Sequence, residues 1–355
     1  MKKSKFYIFL NFIIIIILST CVLFGTAMIN NGCDNKAVID EKTKFENTST
    51  ESATIKDIET VEDERLMVEK EIEDFDEEGI ERQNENLEEK NEIIFSFTVF
   101  GDNGPEDGDS PQPEQFLNIL ELVKGCNPDF VFSTGDIIHG KPDDNEIIKR
   151  QFLDFLDAIS ILDCKIYIAP GDHDVSKEVT RSYFNKLINK DSKSYFYFEY
   201  KDVYFIVLDA NEEKRGEISG EQLKWLKDLL SELREKKVFV FLHQPVYSIL
   251  NPECITDGSL HLAFSDKKNQ NNVRNLFNEF KVDGVFSGHE HLFNINKYSN
   301  TTYIISGCCG SDPRGTKEED GFSGYILIDI KNESWIYMVI DLSGKTVTEK
   351  IISFN

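Results

Sequence analysis

The sequence predicts an α/β fold in which two mixed β-sheets pack face to face as a sandwich, flanked by helices. Three observations lead there. Aromatic and β-branched runs stop repeatedly at Gly-Asp, segments with helical spacing separate the first three runs, and the stretch from "TTYIISG" to "KIISFN" is almost entirely strand-like.

In chain order, "IIFSFTVFGDNG" (93–104) reads as a buried strand stopped by Gly101 and Asp102. "PEQFLNILELVKG" follows with helical spacing at Phe116, Leu117, Leu120 and Val123. "DFVFSTGDIIHG" (129–140) is a second strand, and a helix through "NEIIKRQFLDFLDAISIL" leads to a third, "KIYIAPGDHDVS" (165–176). That order implies parallel βαβ units. "SYFYFEYKDVYFIVLDA" (194–210) reads as a hairpin around Lys201-Asp202. "ISGEQLKWLKDLLSEL" (218–233) has Ser219 and Gln222 at capping-box spacing, with Leu223, Leu226, Leu229 and Leu230 on one face. "KVFVFLHQP" (237–245) is a strand ending at His243. After a helix through "NVRNLFNEF", "VDGVFSGHEH" ends at His289 and His291.

The globular part is expected to span 93–355, enough for one large core. Ahead of it, Lys2, Lys3 and Lys5 form a short basic segment (1–5) before an apolar run over 6–29. That run is long enough to cross a bilayer, which takes about 20 residues. It exceeds a usual signal h-region and no clean cleavage site closes it, so a transmembrane signal anchor is expected. A cleaved signal or a lipid anchor are the alternatives. The lysines before it place the rest of the chain outside the cell. Residues 30–92 carry about −14 of the chain's net charge of −25, a composition expected of a disordered acidic stalk. The domain is itself acidic, which argues against a nucleic-acid groove. The 7 cysteines show neither metal-ligand nor disulfide-framework spacing, and Cys308-Cys309 read as small residues in a tight loop.

In open α/β sheets ligands bind beyond the carboxyl ends of strands. Asp102, Asp136, Asp172, His243, His289 and His291 all stand at such ends. Side chains at i and i+2 of an extended segment share a face, so His289 and His291 are expected to point together and Glu290 away. Converging carboxylates repel one another, and a metal pair removes that penalty, with imidazole and carboxylate suited to Zn, Fe or Mn.

These blocks, "GDNG" (101–104), "GDIIHG" (135–140), "GDHD" (171–174), "LHQP" (242–245) and "SGHEH" (287–291), resemble the calcineurin-like metallophosphoesterase superfamily, most closely its purple-acid-phosphatase-like branch. "SGEQLKWL" ahead of the "HQP" strand is also similar to that branch. The resemblance implies a four-layer α/β/β/α architecture and a hydrolase of small phosphate esters, a phosphatase or phosphodiesterase, with two divalent or trivalent ions. It implies that Asp136 bridges both metals, Asp102 and His291 bind one, and Asp172, His243 and His289 the other. A hydroxide between the metals would attack phosphorus, His173 would protonate the leaving oxygen, and Asp174 would orient its ring. A degenerate, membrane-tethered metal-binding module is the alternative.

Three positions depart from the pattern. Gly104 stands where many relatives have histidine, and His139 where the purple type has tyrosine; His139 is either a ligand of the first metal or a loop histidine. Asp172 replaces the usual asparagine, adding a negative charge. Substrate contacts are expected from the insert 247–270 and the loop 308–320, with His261 and Arg314 as candidates for holding a phosphate. The oligomeric state is left open.

Overall fold

Alternation at period 2 builds the centre of the molecule, seen in a computed structural model that describes residues 92–190, 193–250, 264–315 and 321–355. In β1 (Phe95–Phe100), Phe95, Phe97 and Val99 face one way and Phe100 the other. Strand β2 (Phe130–Ser133) repeats this with Phe130 and Phe132 against Val131. β5 (Val203–Val207) and β6 (Lys237–Phe241) aim Phe205, Phe239 and Phe241 at the same interior, and turn Ile206, Val238 and Val240 outward. Phenylalanine therefore fills the space between the sheets. The Phe132 and Phe241 rings, one from each sheet, lie stacked with centroids 3.6 Å apart. Truncating such a buried ring costs about 3–5 kcal/mol.

The first sheet takes in β3 (Lys165–Ile168), β10 (Gly324–Ile330), β11 (Ser334–Asp341) and β12 (Thr346–Ser353), in the order β12-β11-β10-β1-β2-β3. Its β1-β2-β3 half is parallel and the rest antiparallel. The second sheet takes in β4 (Phe196–Tyr200), β7 (Gly284–Ser287), β8 (Phe293–Tyr298) and β9 (Thr301–Ser306), in the order β4-β5-β6-β7-β9-β8. Helices α1 (Glu114–Cys126) and α2 (Asn145–Ile159) cover the first sheet; α5 (Gly220–Glu232) and α6 (Lys267–Glu279) cover the second. Two short helices, α3 (Asp172–Val175) and α4 (Glu178–Tyr183), follow β3. The four layers are those expected.

Some local readings change. Leu117 is exposed, and Ile119 takes the inward position on α1. Ser219 makes no capping bond; its hydroxyl reaches Glu213, while Gln222 holds the Asp209 backbone N–H at 2.9 Å and carbonyl at 2.8 Å. Tertiary contact thus claims the residue that local spacing assigned to a cap. Edge strand β8 escapes the sequence reading because its alternation is short and polar. The predicted basic segment, membrane anchor and stalk lie outside the described residues. Among the described residues, no helix is long and apolar enough to cross a membrane.

Candidate metal centre

Strands β1, β2, β3, β6 and β7 deliver the site from their carboxyl ends. Asp102 follows β1, Asp136 follows β2, Asp172 opens α3 after β3, His243 follows β6, and His289 follows β7. Asp102, Asp136, His289 and His291 all adopt left-handed backbone, with φ of 51°, 54°, 70° and 50°. For non-glycine residues this costs roughly 1 kcal/mol or more each. Hydrogen bonds offset it: the Asp102 N–H donates to Gly135 O at 2.9 Å, and the His289 N–H to the Asp102 carboxylate at 2.9 Å.

One ligand atom each from Asp136, Asp172, His243 and His289 fall within 4.8 Å of one another, all four residues buried. His243 Nε2 stands 3.1 Å from Asp136 Oδ2 and 3.2 Å from Asp172 Oδ1. His289 Nδ1 stands 2.9 Å from His243 Nε2 and 3.1 Å from Asp172 Oδ1. Neighbouring ligands of a cation held at about 2.1 Å sit roughly 3 Å apart, so the donor set fits a metal ion. The tautomer of His243 fits too. Its Nδ1 meets the Thr134 carbonyl at 2.8 Å, which only accepts, so Nδ1 carries a proton and Nε2 is the nitrogen turned to the cluster, where a cation would displace its proton. Beside this group lie Asp102 and His291, with Oδ1 and Nε2 3.5 Å apart.

Electrostatics without a cation is strained. Burial raises Asp102 above the usual carboxylate range. Burial works the same way on Asp172, but the His289 and His243 imidazoles hold it well below that range. His243 rises well above the usual imidazole value, because Asp136, Asp172 and Asp102 outweigh its complete burial.

His173 lies apart from the cluster, on a cavity of about 490 Å³ that Asp136, His139 and His291 also line. Its Nδ1 meets the His139 carbonyl at 2.7 Å, leaving Nε2 as the other ring nitrogen, and its backbone N–H donates to Asp136 Oδ1 at 3.0 Å. The charge of Asp136, foremost, raises its pKa against burial.

Two expectations need correction. The His139 carbonyl, not Asp174, orients the His173 ring. Asp174 instead accepts the backbone N–H groups of Asp136, Gly171, Ile137 and Ile138, fixing the loop that presents Asp136. The His139 ring stands outside the four-residue group, its centroid 6.1 Å from that of His173. Its pKa is lowered by burial and by the His173 charge. The 289–291 segment is not extended: the two left-handed residues make a tight turn. Glu290 still points away, held by Ser248 Oγ and the Ile249 N–H. The side chain of Arg314 is exposed, and it is the Arg314 backbone N–H that meets the His291 carbonyl, at 2.8 Å. His261 lies outside the described residues.

Gly104 has a steric cause. A Cβ there would lie 2.7 Å from Ile138 O, so the neighbouring loop leaves no room for histidine. Arg215, absent from the sequence reading, donates from Nη2 to Asp172 Oδ2 at 2.7 Å. No spacing rule would have selected it from the charged loop "NEEKRGE".

Comparison with known proteins gives the same answer as the geometry. The family model described as calcineurin-like phosphoesterase matches residues 95–293. The chain belongs to the calcineurin-like phosphoesterase family. Human tartrate-resistant acid phosphatase type 5 is 24% identical over 272 residues, 64% of this chain and 80% of that protein. The probable glycerophosphodiester phosphodiesterase GpdQ of Arcobacter nitrofigilis is 30% identical over 125 residues, 34% of this chain. The match spans only 44% of that relative's length. The purple acid phosphatase from yellow lupin (Lupinus luteus) seeds superposes with a TM-score of 0.57 at 16% identity, covering 73% of this chain and 53% of that one. That likeness speaks to the fold of this phosphoesterase domain.

Proposed function

We propose that this domain hydrolyses small phosphate esters, as a phosphatase or phosphodiesterase, at a two-metal centre. The observation that carries the proposal is the buried Asp136, Asp172, His243 and His289 cluster, whose Asp136 also lines the cavity that holds His173. Asp172, His243 and His289 would hold one cation, Asp102 and His291 the other, and Asp136 would serve both. The loop residue His139 is a further candidate for the second. When bound, such cations (Fe, Mn or Zn) supply Lewis acidity at phosphoryl oxygens and an acidified water at neutral pH.

The chain's own groups do the rest. Asp174 holds the loop of Asp136 through three of its backbone N–H groups, so that carboxylate cannot wander. His173 keeps one proton on Nδ1 against the His139 carbonyl and offers the other, on Nε2, to the leaving oxygen. Arg314 and His261 would bear on substrate choice. The acidic N-terminal composition and the apolar run before it support a domain tethered outside the membrane by a signal anchor, with secretion or lipid anchoring as the alternatives.

The test is hydrolysis of p-nitrophenyl and bis-p-nitrophenyl phosphate by the purified protein with added Mn, Zn or Fe. Turnover that depends on the metal supports the reading. Bound metal with no turnover on a broad phosphoester panel would instead identify a non-catalytic binding module.

A further inference from the structure

Three buried carboxylates, Asp102, Asp136 and Asp172, converge on the centre, and the third adds a charge that a neutral amide ligand at that place would not. Its two oxygens are used differently. Oδ1 faces His243 Nε2 and His289 Nδ1, whereas Oδ2 takes Arg215 Nη2 at 2.7 Å. The Asp172 side chain is 6% exposed and that of Arg215 47%, so the guanidinium reaches in from the surface.

The loop that brings it is pinned. Arg181 Nη1 pairs with the fully buried Asp209 at 2.8 Å, and Gln222 grips the Asp209 backbone on both sides. The Gly216 and Glu217 N–H groups both return to the Ala210 carbonyl, at 2.7 and 3.0 Å. Asn211 on the same loop bonds Gln244, the neighbour of His243, at 2.8 Å. Arg215 is therefore held between two anchors of the centre.

We propose that Arg215 is a positioning residue of the metal centre: it holds Asp172 Oδ2, leaves Oδ1 for the cation, and cancels the charge that aspartate brings. A carboxylate with one oxygen so occupied offers a single donor, as an amide oxygen would. The Asp172–Arg215 pair together carries the charge of that neutral ligand, so an anionic phosphoester approaching the centre meets no added repulsion. The substrate part of this inference rests on the phosphoesterase reading; the pairing does not.

The experiment is a double-mutant cycle of Arg215→Ala and Asp172→Asn, with Arg215→Gln and Arg215→Lys as controls, read in two ways. In chelator-treated protein, Arg215→Ala should lower Tm by roughly 2–5 °C, because it leaves a buried carboxylate oxygen unpaired. In the Asp172→Asn background the same change should move Tm by less than about 1 °C. Arg215→Gln should follow Ala in both backgrounds. In metal-loaded protein, Arg215→Ala should raise KM for a phosphomonoester dianion roughly fivefold with kcat nearly unchanged. Arg215→Lys should restore most of that KM, and Asp172→Asn should abolish the dependence on Arg215. Equal Tm losses in the two backgrounds, or a KM effect that persists without the Asp172 charge, would overturn the proposal. Wild-type protein that hydrolyses no phosphoester would sink the functional reading instead, with the Tm cycle still deciding the pairing.

Discussion

Replacing His173 by alanine separates two contributions that one residue makes. The backbone N–H that donates to Asp136 Oδ1 at 3.0 Å survives the substitution, so the Asp136 carboxylate keeps its place and the metal content should not change. Only the imidazole is lost, and with it the Nε2 proton that the His139 carbonyl orients through Nδ1. A positioned general acid contributes about 100- to 10,000-fold, so an alkyl phosphate, whose leaving alkoxide needs the proton, should slow by roughly 1,000-fold. That is about 4 kcal/mol of transition-state stabilisation. A nitrophenyl ester leaves as a stable anion and should lose less than about tenfold. The pH profile gives a second reading. Asp136, foremost, raises the His173 pKa above its usual 6.5, so the wild-type rate on alkyl esters should fall as pH rises through that raised value. The variant should lack this limb. Equal losses on the two esters, with metals retained, would refute the assignment of His173 as the acid.

Other outcomes follow from the same geometry. Gly104→Ala places a methyl 2.7 Å from Ile138 O and 2.9 Å from its carbonyl carbon, and should destabilise by about 1–3 kcal/mol in urea denaturation; an unchanged midpoint would contradict the packing. Burial and Asp136 push Asp174 up to about 7, so its protonated form stabilises the fold fully below about 3.9, and that stabilisation is lost as pH rises through 7. His173, also raised, loses its stabilising charge on the same alkaline side. The Tm of chelated protein should therefore decline between about pH 5 and pH 8, and a flat or rising Tm would refute these shifts. Iron-loaded protein should be colourless, since the resemblance puts His139 where the purple type supplies its tyrosinate; a purple sample would refute that placement.

The architecture was legible because its determinants are local. Phe97, Phe132, Phe205 and Phe241 alternate with outward residues, and Lys201 and Asp202 adopt φ of 49° and 62° in the expected hairpin turn. The strand-end aspartates and histidines were legible for a related reason. A parallel sheet gathers its carboxyl ends on one rim, so Asp136, Asp172, His243 and His289 meet although they are scattered along the chain. What escaped was long-range contact. Asp174 has a histidine next to it in sequence, yet its oxygens serve the backbone of a loop 36 to 38 residues away. Arg215 lies in a loop whose composition looks like solvent-facing charge, and only the fold carries it to Asp172. The 289–291 turn departs from the expected extended segment: two left-handed φ angles leave His289 in the four-residue cluster and His291 beside Asp102.

Metal stoichiometry of the purified protein, measured by elemental analysis before and after chelation, is the most direct test. Two cations per chain, whose removal lowers Tm and stops phosphoester hydrolysis together, is the predicted result. A protein that carries no metal, and whose melting and hydrolysis ignore chelators, would contradict the account at its centre.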